Sequence, residues 1–168
     1  KGVKLKNIFP LMGKPLIAYS IEAARKAFGD SLICVSTDSD QIASIAEENG
    51  VKVPFRRPAE LSSDTAGDYG VMLHALDYYR SRGHCFDTVI KWQPTTPFRR
   101  SSDIQSAAKL YSHDIDMLVS VKETKANPYF VLFEEDAHGF LQHSKMIPDL
   151  IRRQDAPKVY QYNGALYI

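Results

Sequence analysis

Between Lys91 and Arg100 the chain reads KWQPTTPFRR, a run dense in groups that can recognise a polar ligand. The amide of Gln93 and the hydroxyls of Thr95 and Thr96 both donate and accept hydrogen bonds, which suits a polyhydroxylated molecule. Arg99 carries a planar fork of donors, fit either to pair with a carboxylate or to order its own loop. Arg100, next to it and before a helix, reads as a solvated charge. The two prolines fix φ and withhold donors, which stiffens the loop. Elsewhere the chemistry is thin: five histidines lie scattered without ligand spacing, so no zinc site is expected. Asp38, at the end of an apolar run, stands like the phosphoacceptor of a receiver domain, but Thr37-Asp38 reads equally as a turn that bonds its own backbone, and the turn is favoured.

These groups need elements to hold them. Leu16, Ile17, Ser20, Ile21, Ala24 and Phe28 recur at helical spacing after Pro15, and Gly29-Asp30 ends that helix. Leu32 to Val35 is a short strand-like run. A helix from about Asp40 to Asn49 follows, with Ile42, Ile45 and Ala46 on one face and Gly50 at its C′ position. Val51 to Phe55 is a second strand. A helix from about Tyr69 to Arg82 points Met72, Leu73 and Leu76 inward, and a strand from Thr88 to Trp92 leads into KWQPTTPFRR; Trp92 is core or pocket wall. Ser102 or Asp103 caps a helix through Tyr111, and Met117 to Val121 is a further strand. This alternation predicts an α/β fold: a Rossmann-like, mostly parallel sheet with helices on both faces. In such sheets ligands bind beyond the carboxyl ends of the strands, which is where Gln93 to Arg99 fall.

Past Val121 the pattern changes. Tyr129 to Glu134 and Phe140 to Gln142 flank Asp136-Ala137-His138-Gly139, a turn-rich link that predicts a β-hairpin. Ile147 to Pro157 is irregular, and Val159 to Tyr162 and Gly164 to Ile168 are extended. The expected organisation is therefore an α/β domain over 1–121 and a dimerisation extension over 122–168 that returns to the sheet. Two features point to the dimer: too few apolar residues to close a second core, and Arg152-Arg153 left without an obvious anionic partner in a monomer.

Composition limits the partners. With 168 residues, 44% hydrophobic and 24% charged, the chain can bury one full core, and a formal net charge of +1 gives no reason to expect nucleic acid or a membrane surface. No apolar run is long enough to cross a bilayer. Cys34 and Cys85 form no CxxC pair and flank strand-like runs, so both are expected as buried free thiols in a reducing compartment, the cytoplasm.

Several strings, in order, resemble one family. KGVKLKN is similar to the end of a glycine-rich Lys-Gly-x-x-x-Lys-Asn signature, and GKPLIAYSIEAA, VSTDS, RRPAELSSDTA, QPTTPFR, RRQDAPKVY and NGALYI match in type and sequence order. By these the chain resembles the acylneuraminate cytidylyltransferases, over essentially its whole length. The resemblance implies transfer of a cytidylyl group from CTP to a nonulosonic, sialic-type acid, giving a CMP-sugar and pyrophosphate with Mg2+. Such transfer is mostly positioning plus stabilisation of spread negative charge, so it needs cations around a triphosphate more than a covalent nucleophile.

The resemblance also assigns residues. Lys1 would act in catalysis with Arg153, which the family contributes across a homodimer to the partner's site. Lys6 would reach phosphates, although a lone pair of lysines at this spacing reads as ordinary solvated charge. Asn7 would contact the nucleotide, and Arg57, Ala66 and Asp68 lie in the segment that reads cytosine. Gln93, Thr95, Thr96 and Arg99, with Asn163 and Tyr167, would hold the sugar acid. Asp68 replaces a serine usual in sialic acid enzymes, Asn127-Pro128-Tyr129-Phe130 departs from the bacterial sialic acid version, which places a basic residue near Phe130, and Gln161 replaces a common arginine. These departures weaken the case for N-acetylneuraminate and leave legionaminic and pseudaminic acids open. The chain reads as an excerpt, with the arginine-bearing start of the glycine-rich loop before Lys1 and the metal-binding aspartates after Ile168, so the excerpt alone is expected to be inactive. Two alternatives stand beside this reading: another sugar nucleotidyltransferase of the same fold, of CMP-Kdo or NDP-sugar type, and a non-enzymatic receiver-like domain built around Asp38.

Overall fold

A computed structural model describes residues 3, 5–63 and 65–168. They fall into two compact units: the chain up to Val119 together with Gly164–Ile168, and Ser120–Asn163.

In the first unit, helix α1 spans Leu16–Phe28, with Pro15 at its N-cap and Gly29 (φ 82°) ending it while donating its N–H to the Arg25 carbonyl at 2.9 Å. It follows a two-residue hairpin turn at Met12-Gly13 that joins β1 (Pro10–Leu11) to β2 (Lys14–Pro15). Helix α2 spans Asp40–Glu48 and is capped by the Ser39 hydroxyl, which accepts from the Ile42 N–H at 3.4 Å. Ile17 and Ile21 of α1 bury against Ala43 and Ala46 of α2 and against Val51 and Val53, with Ile33 and Val35 packed around them. Each isoleucine or valine side chain buried in this way contributes about 1.5–3 kcal/mol. A second apolar cluster gathers Ile104 from helix α4 (Ser101–Leu110) with Leu166 and Ile168, and Phe28, Ile90 and Trp92 pack on it.

The chain is thus α/β, but the segments expected as parallel strands do not form a parallel ladder among the described residues. In residues 51–54 Val51 and Val53 are buried and Lys52 and Pro54 exposed, the alternation of a one-sided strand. An apolar alternation dictates which face is buried and leaves backbone pairing to the neighbours. The 88–92 segment pairs at one point, an antiparallel bridge between Lys91 and Tyr167.

Several local expectations are corrected. Cys34 and Cys85 are both exposed: Ile33 and Val35 take the core side, so Cys34 between them points the opposite way, where its thiol meets the Tyr79 hydroxyl, and Cys85 lies in a loop. Helix α3 runs Asp68–Arg80 with no fully buried residue, and Leu73 is 40% exposed, so it packs through a narrower face than its sequence suggests. Neither Ser102 nor Asp103 caps α4; Arg100 is its N-cap residue, without a side-chain capping bond, and its side chain pairs with Asp103 at 3.0 Å instead.

In the second unit, β4 (Phe133–Glu135) and β5 (Leu141–His143) form an antiparallel hairpin with Phe133 opposite His143. Its turn is built by Asp136, whose carboxylate accepts from the N–H groups of His138 (2.8 Å) and Phe140 (2.9 Å) and from the Gln142 amide (3.0 Å). Gly139 supplies the left-handed residue, φ 82°. Strand β3 (Val119–Glu123) pairs with β6 (Tyr160–Tyr167). Arg152 is not left unpaired in this unit: it forms a two-point ion pair with Asp155, at 2.7 and 3.0 Å.

Candidate functional site

The KWQPTTPFRR loop is held by its own arginine. The Arg99 guanidinium donates to the Ala165 carbonyl at 2.6 Å, to the Ser20 hydroxyl at 2.8 Å and to the Gln93 carbonyl, and it lies 5.0 Å from the Trp92 ring. No carboxylate faces it in these contacts, so of its two possible roles the fold shows Arg99 ordering the loop. Burial lowers the guanidinium to about 10, which still leaves a cation at neutral pH. The Thr96 N–H closes a turn on the Gln93 carbonyl at 3.3 Å, and the Thr96 hydroxyl reaches the Gly164 carbonyl at 3.5 Å. Thr95 is exposed at the tip.

The floor beneath this loop is the end of β6. Gly164 sits at φ 72°, and a Cβ there would stand 3.2 Å from the Gln93 side-chain oxygen, so two requirements call for glycine at one position. Tyr167 lies beside Lys91, whose N–H donates to the Tyr167 carbonyl at 2.9 Å and whose ammonium stands 5.1 Å from the Tyr167 ring centre. The same ammonium is ion-paired with Asp68, the first residue of α3.

The residues expected to bind the nucleotide are distributed more widely. Lys6 is exposed in a single helical turn, Lys6–Ile8, and the neighbouring Asn7 has a buried side-chain oxygen with no hydrogen-bond partner among the described residues. Arg57 donates its backbone N–H to the Thr37 carbonyl at 2.9 Å and places its guanidinium 3.5 Å from Asp38, while its Nε is buried and unpartnered. Ala66 is half-buried and closes a turn on Ser63 at 3.3 Å. Lys1 lies outside the described residues.

Two expected residues belong to the second unit. Asn163 accepts from the Ser120 hydroxyl at 2.6 Å. Arg153 is exposed and lines a shallow cavity of about 230 Å³ with Lys125, Lys158, Glu123 and Asn127. Three cations against one carboxylate, itself 3.4 Å from Lys158, give that cavity an anion-attracting character.

Gln93, Thr96 and Arg99 are therefore brought together on the end of β6, and Lys91 joins Tyr167 of the same strand to Asp68. Lys91, Ser20 and Gly164 were not singled out from the sequence as site residues. The signals were present: Ser20 is a buried polar residue inside an apolar helix stripe, and Lys91 is a charge in the last turn of a strand-like run. Among the described residues no three of His, Cys, Asp and Glu gather into a metal site.

Residues 1–165 match the model of a protein family described as Cytidylyltransferase. The chain belongs to the cytidylyltransferase family. As a cytidylyltransferase it is 38% identical over 176 aligned positions to a CMP-N,N'-diacetyllegionaminic acid synthase of Campylobacter jejuni, covering all of this chain and 72% of that protein. An N-acylneuraminate cytidylyltransferase of Streptococcus agalactiae is 35% identical over 171 positions, covering all of this chain and 40% of that protein. Among solved structures, a CMP:2-keto-3-deoxy-manno-octonic acid synthetase complexed with CTP superposes with a TM-score of 0.67 at 19% identity, over 96% of this chain and 66% of that one. This cytidylyltransferase shares that fold, and the resemblance drawn from its motifs stands.

Proposed function

We propose that this chain carries the substrate-binding part of an enzyme that transfers a cytidylyl group from CTP to a nonulosonic acid, releasing pyrophosphate. The observation that carries the reading is the Arg99-pinned loop. It draws Gln93 and Thr96 onto the end of β6 at Gly164 and Ala165, and Lys91, which lies by Tyr167 of the same strand, pairs with Asp68 in the segment from Arg57 to Asp68. The family and the names of the relatives support the reaction, and the motif departures together with the legionaminic relative favour a legionaminic-type acid over N-acetylneuraminate.

In this reading the Gln93 amide and the threonine hydroxyls engage the hydroxyls and acyl groups of the sugar acid, with Tyr167 completing its surroundings. Asn7, Arg57 and Ala66 face the nucleoside, and Lys1 and Lys6 face phosphate oxygens. Arg153 serves a pocket in a second copy of the chain, which makes the working form a homodimer with shared sites and the second unit its dimerisation extension. The α/β unit is read as the Rossmann-like nucleotide domain. A divalent cation, Mg2+, would supply charge neutralisation at the triphosphate, held by ligands that are not among the described residues. The cytoplasm, where CTP is made and free thiols persist, is its proposed location; no helix among the described residues is long and apolar enough to cross a membrane. Asp38 held by Arg57 speaks against the receiver-like alternative.

The test is pyrophosphate release by the full-length protein with CTP and, in turn, legionaminic, pseudaminic, N-acetylneuraminic and 3-deoxy-octulosonic acids. Release with a nine-carbon acid and CTP is expected. Release with only the eight-carbon acid, or equally with UTP and ATP, would overturn the reading.

A further inference from the structure

Tyr167, Lys91 and Asp68 form a continuous contact chain across the first unit. Its two ends lie in segments that the proposed function assigns to different substrates. Lys91 is fixed at its backbone by the bridge to Tyr167, its side chain is 20% exposed, and its ammonium joins Asp68, whose side chain is 70% exposed. Asp68 is the first residue of α3, a helix of 13 residues, where the aligned peptide dipoles put partial positive charge. A carboxylate there stabilises the helix start and also screens Lys91 from it.

From this we propose that Asp68 and Lys91 are positioning residues that couple the sugar-acid pocket to the nucleotide-side loop. This rests on the function proposed above. Asp68 is a poor direct ligand for a triphosphate, because like charges repel, and its engagement with Lys91 gives it a different task. It keeps the Lys91 ammonium beside Tyr167. With Asp68 neutralised, the Lys91 cation faces the positive end of α3 without a counter-charge. It then leaves its place against Tyr167, and the sugar side is disturbed by a change made on the nucleotide side.

This coupling predicts a specific non-additivity. In the full-length enzyme, Asp68→Asn raises the KM for the sugar acid by about fivefold while the KM for CTP moves less than twofold. Lys91→Met alone raises the sugar-acid KM by about twofold, and Asp68→Asn combined with Lys91→Met recovers most of the loss, because no stranded cation remains. Lys91→Arg, which keeps the charge, stays within about twofold of the parent. A merely structural role would make the two losses multiply and would move both KM values together. Multiplying losses, or an Asp68→Asn effect confined to CTP, overturns the coupling. Absence of CTP-dependent turnover in the unmodified enzyme instead defeats the proposed function, so the two failures are distinguishable. Circular dichroism and melting curves of each variant identify any that fail to fold, and for those Lys91→Gln and Asp68→Ser, which also remove the two charges, supply the cycle.

Discussion

Replacing Arg99 with alanine removes three donors at once, from the Ala165 carbonyl, the Ser20 hydroxyl and the Gln93 carbonyl. A hydrogen bond to a charged group contributes about 1.5–3 kcal/mol, and bonds made by one side chain do not add in full. The site is only part-buried, so water can satisfy some of the stranded acceptors, and we expect a loss of about 2–4 kcal/mol. For a chain of this size each kcal/mol lowers Tm by about 2–4 °C, so the midpoint should fall by about 5–15 °C. Arg99→Lys should recover less than half of this, because a single ammonium lacks the planar fork that reaches three acceptors in different directions. Arg100→Ala is the internal control: its side chain is 81% exposed and bonded only to Asp103 at 3.0 Å among the described contacts, so its cost should stay within about 0.5 kcal/mol. The assay is thermal unfolding by calorimetry of the three variants beside the parent. An Arg99→Ala midpoint within a degree or so of Arg100→Ala would refute the claim that Arg99 orders the loop.

Three further outcomes are expected. Gly164→Ala adds a Cβ 3.2 Å from the Gln93 side-chain oxygen at φ 72°, so it should cost about 1–2 kcal/mol from the backbone alone and raise the sugar-acid KM by displacing Gln93; melting curves and steady-state kinetics check both. The Asp136 carboxyl is held below the usual carboxylate range by the backbone N–H groups of Phe140 and His138, with help from the Gln142 amide. Its contribution is therefore present above the ordinary value of about 3.9 and is lost as pH falls through the lower folded value; amide shifts of His138 and Phe140 followed against pH should show that low transition, and a Asp136→Ala variant should abolish it. If Arg153 serves a neighbouring copy, Arg153→Ala and Gln93→Ala subunits should each be inactive alone while mixed dimers regain about one working site per dimer, and heterodimers without recovered activity would place Arg153 in its own subunit.

Much of the fold was legible because local rules and tertiary packing agreed. The apolar stripe from Leu16 to Phe28 with Pro15 before it, and the 40–48 helix closed by Gly50, appear within a residue or two of expectation. The hairpin around Asp136 to Gly139 was readable for the same reason: its turn is specified by a side chain two to four residues from its partners. Sheet pairing was not legible, since Val51 and Val53 announce a buried face without saying which backbone lies alongside. Cys34 shows the cost of ignoring parity, for a residue between two core-facing neighbours points the other way. In the candidate site, Gln93, Thr96, Arg99 and Tyr167 could be named from residue type and motif. Lys91 could not, because its role depends on meeting Asp68 and Tyr167, residues 23 and 76 positions away, through the fold.

The central claim is transfer of CMP from CTP to a sugar acid. It is tested most directly by incubating the full-length enzyme with CTP labelled at the α-phosphate and a legionaminic-type acid, then following the label by phosphorus NMR and mass spectrometry. A CMP-sugar phosphodiester carrying the label is expected, one for each pyrophosphate formed, and no such product from UTP or ATP. Label that stays in CTP, or is released as free CMP with no sugar attached, would contradict it.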